Sequence, residues 1–165
     1  MVYKGQLPLA IETIRRGLEM DGNYPLGLAL LGQALVESGE LDEGIAAMRR
    51  AAPQLAPGGY WAKGLLGHYL ARQGDVGEAL QLLDELLALR RTVHVQRVAI
   101  AAIYAGLNDD DRALQWLEEA AQLPGELWFW IPIDPLWARM RQKPAFQRIL
   151  ARWRRGSGEV THRQA

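Results

Sequence analysis

Apolar residues along this chain recur at the three- and four-residue spacing of a helix face, in blocks that come in pairs. Leu28, Leu31, Gly32 and Leu35 share one such face, and Leu66, Gly67 and Leu70 share another. Each block is followed by a second of the same kind: Ile45, Met48 and Ala51, then Leu80, Leu83, Leu86 and Leu87, then Leu114, Leu117 and Ala120. The pattern predicts helical hairpins, each with an oily side that it cannot cover alone.

The corners inside these hairpins repeat. Gly5-Gln6-Leu7-Pro8-Leu9-Ala10, Gly39-Glu40-Leu41-Asp42-Glu43-Gly44, Gly74-Asp75-Val76-Gly77-Glu78-Ala79 and Asn108-Asp109-Asp110-Asp111-Arg112-Ala113 superpose. Their leading residues Gly5, Gly39, Gly74 and Asn108 stand 34, 35 and 34 positions apart, as do the small residues Ala10, Gly44, Ala79 and Ala113. Glycine tolerates the left-handed backbone that often ends a helix, and asparagine adopts it more readily than most residues. Asp42, Asp75 and Asp110 or Asp111 are expected to cap the helix that follows. The small residue lets the two helices approach closely.

A period of 34 residues is that of the tetratricopeptide repeat, and the sequence resembles this family. The family's order of small, large, small, large and small positions is matched by Gly32, Leu35, Gly44, Met48 and Ala51. It is matched again by Gly67, Leu70, Ala79, Leu83 and Leu86, and by Ala101, Tyr104, Ala113, Leu117 and Ala120. The early tryptophan position is instead Leu28, Lys63 and Arg97, and Leu86 stands where a small residue closes the repeat. The resemblance implies an all-α fold, an α-solenoid of antiparallel hairpins wound as a right-handed superhelix. It divides the chain into a half repeat over 1–24, repeats over 25–58, 59–93 and 94–125, a helical cap over 126–155 and a flexible tail over 156–165.

The two ends differ from the middle. With Gly5 as the corner of the first unit, the helix that should precede it is missing, so the helix over about 7–20 is expected to leave an apolar edge at Ile11, Ile14 and Leu18. That edge suits a further repeat of a longer protein, or a second copy in a homodimer. After the last repeat come Asp134-Pro135, a helix-start pair, and Lys143-Pro144, which opens a helix whose Phe146, Ile149, Leu150 and Trp153 share one face. This closing segment resembles that of tetratricopeptide arrays in bacterial signalling proteins.

Composition narrows the function classes. There is no cysteine, which removes disulfides and thiolate chemistry and fits a reducing, cytoplasmic setting. The longest apolar run, Val98 to Leu107, is half of the roughly 20 residues that a membrane span needs. The N-terminal residues have no apolar stretch of signal-peptide type. Residues 1–136 hold 11 basic against 18 acidic side chains, whereas residues 137–165 hold eight against one. The basic end could meet phosphates electrostatically, but a solvated helix face accounts for it more simply, and nucleic acid is the least favoured partner.

Three dispersed histidines and two serines form no metal-binding, phosphate-loop or nucleophile motif. The reading is therefore of a protein that is no enzyme and needs no cofactor or metal, and that binds a protein or peptide ligand. The resemblance puts ligand contacts on the first helix of each hairpin, which here selects Gln33, Glu37, Trp61, His68 and Arg72. The corresponding stripe of the last repeat, Val95, Val98, Ala102 and Ala105, is wholly apolar, and residues Leu127 to Ile133 are expected to fold against it.

Overall fold

The computed structural model describes residues 6–55, 59–123, 126 and 131–160, with side chains as far as Arg154. Among them the chain is all-helical. Its α-helices are α1 (Leu7–Met20), α2 (Pro25–Ser38), α3 (Leu41–Ala51), α4 (Trp61–Gln73), α5 (Val76–Leu89), α6 (Arg97–Gly106), α7 (Asp110–Ala120) and α8 (Pro144–Val160). Short 3-10 turns at Pro135–Trp137 and Met140–Gln142 precede α8. Each helix packs on its neighbours in sequence, and α4 also lies along α6. No helix among the described residues is long and apolar enough to cross a membrane.

The corners form as the sequence requires. Gly39, Gly74 and Asn108 take φ of 101°, 106° and 62°. In each case the next residue's N–H reaches back into the finished helix: Glu40 to Leu35 O (2.8 Å), Asp75 to Leu70 O (2.9 Å) and Asp109 to Tyr104 O (2.9 Å). The corner at Gly5 lies outside the described residues. Capping differs from expectation. Of the acidic residues at these corners, Asp109 alone among those described caps with its side chain, accepting from the Arg112 N–H at 3.1 Å. Asp75 holds the N-cap position of α5 without a side-chain bond. Asp42 and Asp110 already lie within the first helical turns, past the cap, where they favour the helix dipole and leave their oxygens to other partners. Asp42 accepts from Gln73 Nε2 at 2.8 Å.

Two kinds of helix alternate. α4 is buried from Gly64 to Leu70 and α6 from Val98 to Gly106, and α2 is buried over most of its length. Helices α1, α3, α5 and α7 bury one stripe each, such as Ala79, Leu83 and Leu86 in α5, and wet the opposite side. Leu80, which shares the α5 pattern, lies outside that stripe and is exposed.

Missing side chains set the closest approaches. A Cβ on Gly32 would come within 2.7 Å of Gly44 O, and one on Gly44 within 2.7 Å of Gly32 O, so the α2–α3 hairpin closes on two glycines. Between α4 and α6, a Cβ on Gly64 would lie 2.5 Å from Ala99 O, and one on Gly106 2.5 Å from His68 O.

The N-terminal edge is corrected. Ile11 is 7% exposed and packs with Leu31, Ala34 and Leu35 of α2, and Ile14 and Leu18 pack against the same cluster. Ile11 is therefore core, because α1 turns its apolar stripe onto α2, whereas Ile14 and Leu18 stay partly exposed. Its outward side instead carries Leu9, Glu12, Arg16 and Met20, with Glu12 and Arg16 ion-paired. The tail also differs: α8 continues through Gly156 to Val160, and 161–165 lie outside the described residues.

Candidate interaction surface

The exposed stripe of α2 runs Leu26, Leu30, Gln33 and Glu37, one residue per helical turn. Its first half is open, with Leu26 37% and Leu30 42% exposed. Its second half is covered by the chain itself. Gln33 Nε2 donates to Asp134 Oδ1 at 2.9 Å, and Glu37 Oε1 accepts from the Tyr69 hydroxyl at 2.7 Å. Asp134 Oδ1 also caps its own 3-10 turn by accepting from the Leu136 N–H at 3.0 Å.

This polar cluster is enclosed, and its titrations move accordingly. Burial pushes the Tyr69 hydroxyl up, and the Glu37 carboxylate beside it pushes the same way. Burial also raises Asp134; its bonds from Leu136 N–H and Gln33 oppose the rise, and the like charge of Glu37 adds to it. Arg141 closes the far side by donating to the Asp134 backbone carbonyl at 2.6 Å.

The apolar side of the same segment enters the core. Ile131, Leu136, Trp137, Met140 and Phe146 are buried in one cluster with Val95, Val98, Ala102 and Ala105. Ile131 is buried in the same core as that apolar stripe, whereas Ile133 is 45% exposed; Leu127 to Trp130, the rest of that expectation, lie outside the described residues. Just before this segment, Glu126 crowns α6: its carboxylate accepts from the N–H groups of Arg97 (2.9 Å) and Val98 (3.1 Å).

The five residues assigned to the groove part company. Gln33 and Glu37 meet in one cluster. Trp61 is half-buried and packs with Leu28, Ala29 and Ala51. Arg72 is exposed at the end of α4. His68 is corrected: it is 2% exposed, with Nδ1 2.9 Å from Ala102 O, because Gly106 brings the α6 backbone against it. Burial lowers its pKa to about 4, so it is neutral at pH 7 and cannot meet a ligand. Leu30, Tyr69 and Asp134 were not selected as groove residues by the sequence; Leu30 alone carried a signal, one turn from Leu26 and from Gln33.

The basic end is drawn onto the acidic body. Arg139 and Lys143 both pair with Asp110, at 2.6 and 2.7 Å, and Arg139 also donates to Ala105 O at 3.0 Å. Arg152 pairs with Glu118 of α7. Three basic residues of that end thus meet acidic side chains of α7. The chain matches no protein-family model, no curated protein and no solved structure.

Proposed function

We propose that this chain is a protein-interaction module: a tetratricopeptide-type α-solenoid of three and a half hairpins whose inner face holds an extended or helical segment of a protein partner. Three lines support the repeat reading. Left-handed corners recur at 34- and 35-residue spacing with the same backbone bonds. Mostly buried helices alternate with amphipathic ones. Ion pairs join every second helix, Arg15 to Glu43 at 2.9 Å and Arg49 to Glu78 at 2.5 Å.

One observation carries the binding role. The exposed stripe of α2 already takes a polar contact from the chain's own closing segment, the Gln33–Asp134 bond. What stays open for a partner is Leu26 and Leu30, with Ile133 (45% exposed) beside the bonded Asp134. An apolar side chain seated there gains about 1.5–3 kcal/mol if fully buried, enough for roughly a tenfold preference or more.

The test is a display selection for peptides against the whole chain, followed by affinity measurement on Leu30→Asp. Selected peptides should lose about tenfold or more on that variant while its helical content and melting temperature hold. Peptides that bind both proteins equally, or a selection that yields none, would end this reading.

A further inference from the structure

The ion pairs between alternate helices are not all alike. Arg15–Glu43 and Arg49–Glu78 each join one guanidinium to one carboxylate at short range. In the third, a single oxygen, Glu119 Oε2, faces both Arg90 Nη2 at 3.5 Å and Arg97 Nε at 3.4 Å. Both separations exceed the roughly 2.7–2.9 Å of a charge-assisted hydrogen bond. Arg97 Nε is buried and has no hydrogen-bond partner among the described residues. Arg90 stands over the Trp116 ring, 4.7 Å from its centre.

Arg91 and His94 lie in the same corner between α5 and α6, exposed and without partners among the described residues. Together with Arg90, Arg97, Leu87, Val93 and Val95, these side chains line an open cleft of about 610 Å³. The other nearby carboxylate, Glu126, is occupied by the N–H groups of Arg97 and Val98. Three guanidinium groups therefore line a cleft against two carboxylates, Glu119, loosely shared by two of them, and Glu126, whose bonds go to backbone N–H groups.

We propose that this cleft binds a phosphate group, with the forks of Arg91 and Arg97 donating to its oxygens and Arg90 held in reserve beside Trp116. Planar guanidinium forks match the oxygen geometry of phosphate, and an anion offsets the positive excess that Glu119 and Glu126 leave. The phosphate can come free from solution or on a phosphorylated side chain.

The experiment follows backbone amide shifts over residues 90–98 of the whole chain. Inorganic phosphate is titrated against sodium chloride at matched ionic strength, then a phosphoserine peptide against its unphosphorylated form. Saturating shifts with phosphate and not with chloride are expected, weakened about tenfold in Arg91→Ala and unchanged in Arg49→Ala, whose residue belongs to a closed pair. Tighter binding of the phosphopeptide than of phosphate would assign a phosphorylated segment, and equal binding a free phosphate. Shifts that chloride reproduces, that fail to saturate, or that survive Arg91→Ala would overturn the proposal. So would a single-stranded oligonucleotide that binds more tightly than either with a steep salt dependence, since that would mark an extended polyanion site. The outcome is independent of Leu30, so it leaves the inner-face reading to its own test.

Discussion

Asp134 accepts a hydrogen bond from Gln33, a residue 101 positions earlier in the chain, and does so while buried beside the like charge of Glu37. That one contact ties the closing segment to α2. It also sets a conflict, because the acceptor that holds the latch is a charge that burial disfavours.

Asp134→Asn resolves the conflict by keeping an oxygen for Gln33 and for the Leu136 N–H while removing the charge. The Asp134 pKa is raised in the fold, so its contribution to stability is fully present below its unfolded value. It declines as pH rises through the folded value. The variant should therefore melt above the parent at pH 7 and level with it near pH 3, by calorimetry. A lower melting temperature at pH 7 would mean that the charge itself holds the latch.

His68 works in the opposite direction. Its pKa falls from 6.5 to about 4 on burial, so its stabilising contribution is complete above pH 6.5 and is lost as pH falls toward 4. The shift corresponds to about 3 kcal/mol. Imidazole resonances followed by NMR should place the His68 midpoint near 4 in the folded protein. A midpoint close to 6.5 would show that the ring reaches solvent.

Glu126 accepts from two N–H groups at the start of α6 that no helical carbonyl can serve. Glu126→Ala leaves both donors in a largely buried setting. It should cost about 1–3 kcal/mol in chemical denaturation. A loss under about 0.3 kcal/mol would show that solvent replaces the carboxylate at no cost.

Glycines that look alike in sequence should respond oppositely to alanine. Gly64→Ala drives a methyl group to within 2.5 Å of the Ala99 backbone and should destabilise by about 1–3 kcal/mol. Gly17→Ala, inside α1 with nothing within 4 Å, should stabilise by about 0.5–1 kcal/mol. Equal effects at the two sites, read from denaturation midpoints, would contradict the close packing of α4 on α6.

The helices and corners were legible in the sequence because both are local. Helical spacing fixes which residues share a face, and a left-handed corner needs Gly39, Gly74 or Asn108 at that very position. The bounds of α1, Leu7–Met20, follow from such signals alone. Cap assignment slipped by one residue at Asp109 because several acidic residues in a row satisfy the same local rule.

Which faces stay open was decided only in three dimensions. α1 buries Ile11 by lying on α2, and Gly106 draws α6 over His68. The segment around Asp134 then takes Gln33, guided by Arg139 and Lys143 meeting Asp110. None of these follows from periodicity, since each depends on a residue remote in sequence arriving at a particular place. By itself the chain's alphabet determined the hairpins and where they turn. Burial of the closing segment, driven by its apolar side and steered by its charges, determined which residues remained exposed.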